Sequence, residues 1–160
     1  MAEHTIQCLR KLQSEDSGVA AIEFAILGST FLLLACIIFE IGLLVFTQSV
    51  LNDALRDGAR LIRLGQATTG TVFVAKVCDK AGSLIPSCTT SLQYEVQAAN
   101  SFSALTASGT LSNRYNAGTS AQDVVAQVGY SRITILPWTS TYLPGTGLLV
   151  STIAFQNDSY

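Results

Sequence analysis

The stretch Gly18–Val50 reads GVAAIEFAILGSTFLLLACIIFEIGLLVFTQSV, and its only charged residues are Glu23 and Glu40. Between them, Phe24–Phe39 carries no charge at all. At a rise of about 1.5 Å per residue, a helix over Phe24–Phe46 reaches roughly 34 Å, enough to cross a hydrocarbon core of about 30 Å. The stretch reads as a membrane span. It is too long for a removable secretory signal, whose apolar part runs to about 7–15 residues.

Outward from the span, the two sides differ. Residues 1–18 are polar, end in Ser14-Glu15-Asp16-Ser17-Gly18, and show no fold of their own. On the other side the helical pattern continues, with Leu51, Leu55, Ala59 and Ile62 on one face at spacings of three and four. Asp53–Arg56 and Asp57–Arg60 form exposed pairs three apart, each worth a few tenths of a kcal/mol. Gly65 is placed to end the helix, so the element over 19–64 spans roughly 65–70 Å. After a small-residue linker, 66–71, a second helix is predicted over Val72–Ile85, with Phe73, Val77, Ala81 and Leu84 on one face and Pro86 as its stop. Strands are predicted over Ser91–Ala98, with Leu92, Tyr94 and Val96 on a common face, over Val124–Ile135 and over Leu148–Phe155. The Ser-, Thr-, Asn- and Gly-rich segment Ser101–Ser120 reads as a surface loop, and Pro137, Pro144, Gly145 and Gly147 mark a turn. The fold class is α+β: a long N-terminal transmembrane helix, then a small helix packed on an antiparallel sheet. The predicted divisions are a leader at 1–18, the span and its extension at 19–65, and an outer domain at 66–160.

Composition narrows what such a chain does. The 160 residues are 49% hydrophobic and 12% charged, against about a quarter charged in ordinary soluble domains; mean hydropathy is +0.41. A net charge of −2 excludes the basic footprint of a nucleic-acid binder. The single His4 lies in the leader, so the outer domain holds no histidine-based triad. Asp79, Glu95, Asp123 and Asp158 are scattered, no glycine-rich phosphate loop is present, and two cysteines without histidine make a poor metal site. No enzyme activity, cofactor or metal is expected. Cys78 and Cys88, close together beyond the span, read as a disulfide in an oxidising compartment. This pair puts the outer domain outside and the leader in the cytoplasm; Arg10 and Lys11 before the span against Arg56, Arg60 and Arg63 after it do not set the orientation. Leu33-Leu34-Ala35-Cys36 has the order of a lipoprotein acylation site. Because Ile37–Phe46 stays apolar, Cys36 is instead read as a small apolar helix residue, and Cys8 as a plain thiol in the leader.

The residues Gly18-Val19-Ala20-Ala21-Ile22-Glu23-Phe24 combine a small residue closing a polar leader, an apolar helix starting at once, and a carboxylate five residues into it. A carboxylate at the bilayer rim is costly unless paired, although a helix N-terminus favours negative charge in any case. The arrangement resembles the processing site of type IV prepilins. With Phe39-Glu40-Ile41-Gly42, Leu51-Asn52-Asp53-Ala54 and Arg56-Asp57-Gly58-Ala59-Arg60, it is similar to the TadE-like family, pseudopilins of the tight-adherence (Tad or Flp) pilus system. Val125–Tyr130, Pro137, the closing residues 154–160 and the pair Cys78 and Cys88 extend the resemblance.

The resemblance implies a type IV pilin-like fold and cleavage by a prepilin peptidase between Gly18 and Val19. It also implies pairing of Glu23 with the terminal amine of a neighbouring subunit. Phe24, where major pilins of this class carry Tyr, fits a minor pseudopilin. The implied partners are the prepilin peptidase, other Tad pilins and pseudopilins, the inner-membrane assembly platform and membrane lipid, in the bacterial inner membrane with the outer domain periplasmic. Glu40, about 25 Å along the helix from Glu23, is read as a carboxylate reaching the outer headgroups or as an assembly contact with a partner helix. Arg56, Arg60 and Arg63 are read as a solvated helix face. The rival reading is an unprocessed single-span anchor whose outer domain binds a ligand or envelope partner; a third is an adhesin using Ser101–Ser120.

Overall fold

The apolar stretch and its extension form one helix, α1, Asp16–Arg63. The structure is a computed structural model describing residues 16–105, 110–131 and 147–158, with side chains from Gly18 onward. The helix begins at Asp16, ahead of the Gly18–Val19 bond. It ends as predicted at Gly65, whose φ of 66° is the left-handed conformation that glycine adopts without strain. The Gly65 amide donates to the Ile62 carbonyl at 2.9 Å and the Gln66 amide to Leu61 at 2.9 Å, the paired reverse bonds that close a helix C-terminus.

The chain divides into two compact units, residues 1–42 and 43–160. In the second, the last turns of α1 belong to the folded core. Leu51, Ala54, Leu55, Ala59 and Ile62 are all buried. The helix α2, Gly70–Ala81, is capped by Thr69, whose hydroxyl accepts from the Val72 amide, and presents Phe73, Val74, Val77 and Ala81 to the same core. Where the periodicity predicts helix through Ile85, α2 stops at Ala81. The Leu84 and Ile85 amides both turn back to the Ala81 carbonyl at 3.0 Å, so Ile85 is buried and Leu84 exposed. A single turn, α3, Cys88–Ser91, follows.

Among the described residues, four strands form one sheet, in the order β2-β1-β3-β4. They are β1 Leu92–Ala99, β2 Arg114–Tyr115, β3 Asp123–Ser131 and β4 Leu148–Gln156. β1, β3 and β4 are antiparallel, in a register that aligns Val96 with Ala126 and Ala126 with Ile153. β2 pairs parallel to β1 through Glu95–Arg114 and Val96–Tyr115, so the sheet is mixed rather than purely antiparallel. The inner face carries Leu92, Tyr94 and Val96 from β1 and Val124, Ala126 and Val128 from β3, packed with α1 and α2 in one core. β2 and a short 3-10 turn, Phe102–Ala104, lie in the segment predicted as loop. The predicted strand residues 132–135 and the turn at Pro137, Pro144 and Gly145 lie outside the described residues.

Two contacts set how closely the layers approach. A Cβ at Gly58 would stand 2.8 Å from Phe73 Cε2 and 2.9 Å from Val77 Cγ2, so α1 and α2 meet where α1 has no side chain. Across the core, Phe73 packs on Tyr94 and Tyr115 with ring centroids 6.2 and 6.1 Å apart. On the surface, Asp53 pairs with Arg56 at 3.5 Å as predicted. Asp57 pairs instead with Lys80 of α2 at 2.9 Å, and that bond is the main cause holding its carboxyl below the ordinary range.

Candidate assembly helix

Residues 18–46 of α1 are apolar on every side. Val19, Ile22, Phe24, Ile26, Leu27, Phe31 and Phe39 are all at least 60% exposed. A helix that is apolar all round needs a membrane or partner helices to cover it. Its few hydroxyls are satisfied locally: Ser29 and Thr30 donate to the Ile26 carbonyl at 3.0 and 2.9 Å, and Thr47 to Leu43 at 2.7 Å. These three hydroxyls therefore require no water. The helix is long and apolar enough to cross a membrane, with a mean hydropathy of 2.5 in its most apolar window.

The residues singled out for processing and assembly all lie on this helix. Gly18 and Val19 sit in its first turn and are exposed, and no atom lies within 4 Å of a Cβ built on Gly18. Glu23 and Phe24 are exposed one turn further on, Phe24 by 78%. Beside them Ala25, Leu27, Gly28 and Phe31 line a shallow open depression, and the Phe24 ring lies 3.9 Å from the Cβ position of Gly28. Glu40 behaves differently. It is 2% exposed, whereas its helical neighbours Ile38, Phe39 and Ile41 are exposed. Seventeen positions at about 100° each also place it about a quarter turn from Glu23. Cys36 is a free thiol.

Cys78 and Cys88 are bonded, with Cα atoms 5.7 Å apart. The bridge ties the last turn of α2 to α3 and so to the start of β1. Among the described residues, no cluster of three or more His, Cys, Asp or Glu side chains is arranged to hold a metal.

Two features were not legible as sites. The first is Glu95, buried on the outer face of β1. Gln97 Nε2 donates to its Oε1 at 2.7 Å, and the Ser112 amide and hydroxyl donate to its Oε2 at 3.1 and 3.0 Å. These bonds, the Gln97 bond first, hold its carboxyl below the usual range against the opposing effect of burial. The only available signal was a carboxylate within a strand pattern. The second is a groove of about 410 Å³ between the last turns of α1 and β4, with Arg56, Arg60 and Arg63 at its rim and Ile153 and Phe155 in its floor. The arginines read as a helix face in sequence because β4 lies about ninety residues away.

Residues 18–60 match the family model described as TadE-like protein. Residues 61–160 lie outside that match. No curated protein and no solved structure matches the chain. From the glycine before the apolar stretch to Arg60 at the rim of the groove, the chain is similar to the TadE-like family.

Proposed function

We propose that this chain is a minor pseudopilin of a Tad-type pilus. On this reading it is cleaved after Gly18 by a prepilin peptidase and held among neighbouring subunits and lipid by the apolar half of α1. It takes part in initiating or assembling the pilus for adherence, and the chain performs no chemistry of its own. The observation that carries the reading is a TadE-like helix, apolar on all sides, with one exposed carboxylate five residues after a glycine. An exposed Glu23 in such surroundings needs a cationic partner, and a new amine at Val19 of a neighbouring subunit supplies one. Ala20, Ala21, Ala25 and Gly28 give the small-residue contacts that let helices approach in lipid. The Cys78–Cys88 bond supports a periplasmic outer domain with the leader in the cytoplasm.

The test is the N-terminus of the protein from native membranes, by intact mass and terminal peptide sequencing. The expected chain begins at Val19, and Glu23→Ala leaves the protein in the membrane but impairs its co-assembly with pilus subunits. A mature chain beginning at Met1 or Ala2 refutes the proposal and leaves an unprocessed anchor with a partner-binding outer domain.

A further inference from the structure

We infer that the groove between the end of α1 and β4 is a docking site for an acidic, partly apolar segment of a different protein. Its rim carries Arg56 and Arg60 from successive turns of α1, and its floor is made by Ala59, Leu64, Ile153 and Phe155. Leu64 is 43% exposed, and Ile153 and Phe155 stand at the margin of the core, half covered. An apolar floor under guanidinium groups fits a carboxylate carried beside an apolar side chain: the floor excludes water and strengthens the ion pair.

The charges within the groove are unequally committed. Arg63 is held by Asp158 at 3.0 Å and Arg56 by Asp53 at 3.5 Å. Arg60 makes no ion pair among the described residues. Its place near a helix C-terminus accounts for a favourable charge there, but not for the open apolar floor next to it.

Three occupants are conceivable, and distance and charge decide among them. Anionic lipid is too far away. Arg60 lies fourteen residues, about 21 Å, beyond Phe46 along α1, whereas each headgroup layer is only about 5–8 Å deep. A second copy offers no uncommitted carboxylate from its described residues beyond Gly42. Beyond Gly42 the sequence holds six: Asp53, Asp57, Asp79, Glu95, Asp123 and Asp158. Four are engaged in ion pairs within the chain, and Glu95 and Asp123 are buried. A different protein with an exposed acidic segment remains. This inference does not depend on cleavage at Gly18, so an uncleaved N-terminus would leave it standing.

The test places a photoreactive amino acid at Leu64 in the full chain in native membranes. The adduct is identified by the mass of the cross-linked peptide. The expected adduct joins a different protein at a peptide containing Asp or Glu. Arg60→Glu, and less strongly Arg60→Gln, lowers its yield, the reversal by about tenfold or more. Changing the partner's carboxylate to Lys restores the yield in the Arg60→Glu background. Resistance of the domain beyond Leu43 to limited proteolysis, equal to that of the unaltered chain, confirms that each variant is folded. Adducts with lipid or with a second copy overturn the inference, as does a yield indifferent to Arg60→Glu. Absence of any adduct at Leu64, when the same group at Phe24 does cross-link, also overturns it.

Discussion

Replacing Gly58 by alanine tests the closest approach between α1 and α2, because two opposing effects of known size meet at one atom. Alanine in a helix interior is favoured over glycine by about 1 kcal/mol. Against this, the new Cβ would stand 2.8 Å from Phe73 Cε2, 2.9 Å from Val77 Cγ2 and 3.1 Å from Phe73 Cδ2. Neither neighbour has room to retreat: both are fully buried, and the Phe73 ring is wedged against Tyr94 and Tyr115. Forcing one methyl into such packing costs about 1–3 kcal/mol. The clash is therefore expected to outweigh the helix gain, for a net loss of up to about 2 kcal/mol and a Tm lower by up to about 8 °C. The assay is thermal or urea unfolding of the full chain in detergent, followed by near-ultraviolet circular dichroism of the tyrosines. Val77→Ala removes one of the obstructing methyls. The double variant should therefore be less destabilised than the sum of the singles by about 1 kcal/mol. A Gly58→Ala protein that gains about 1 kcal/mol, with no coupling to Val77→Ala, would refute the packing argument.

Reducing the Cys78–Cys88 bridge, whose cysteines are ten positions apart, should cost about 2–3 kcal/mol by the chain-entropy estimate. Unfolding curves with and without reductant measure it, and an unchanged midpoint would mean that the bridge constrains nothing. Because the hydrogen bonds from Gln97 and Ser112 hold the Glu95 carboxyl below the ordinary carboxylate value in the folded state, its ionised form stabilises the domain. That contribution is complete above the unfolded value and lost as pH falls through the lower folded one. Glu95→Gln should accordingly flatten the loss of stability below about pH 4.5 and destabilise the domain at neutral pH; an unchanged profile on acid titration would contradict this. A chain starting at Leu43 should fold without membrane, whereas one starting at Gly65 should not. The latter lacks Leu51, Leu55 and Ile62, each fully buried and each contributing about 1.5–3 kcal/mol, a sum comparable to a domain's whole net stability. Amide hydrogen exchange distinguishes the two.

What could be read from the sequence followed from how local each signal was. The end of α1 was legible because Gly65 closes it through bonds to Ile62 and Leu61, within four residues. The disulfide was legible from two cysteines ten positions apart. The inner face of β1 was legible because Leu92, Tyr94 and Val96 alternate with Gln93, Glu95 and Gln97. β2 was not. Arg114–Tyr115 has no period of its own, and its place depends on Tyr115, whose hydroxyl donates to the Ala67 carbonyl and whose ring meets Phe73. The boundary of α2 slipped for a similar reason. Nothing between Gly82 and Ile85 forbids helix locally, but burying Ile85 rather than Leu84 requires the turn at Ala81. Of the candidate site residues, Gly18, Val19, Glu23 and Phe24 stand exposed on the helix, while the burial of Glu40 had no sequence signal.

The pattern along α1 changes character between Leu43 and Leu51, and that change makes one helix serve two solvents. Before it, apolar residues occupy every side, and Leu43, Val45 and Phe46 are still exposed. After it, only one stripe is apolar, and Leu51, Ala54, Leu55, Ala59 and Ile62 are buried on it. The switch coincides with the first polar anchors to the sheet. Gln48 Nε2 donates to the Val150 carbonyl at 3.0 Å, and the Ser151 hydroxyl donates to Asn52 Oδ1. A buried stripe fixes the rotation of a helix about its own axis, since a turn of 100° would replace Leu55 by Arg56 in the core. The all-round apolar half has no such constraint from lipid, which solvates every side alike. Packing around Leu55 and Gly58 therefore fixes the rotation of the last turns of α1 against the sheet and α2.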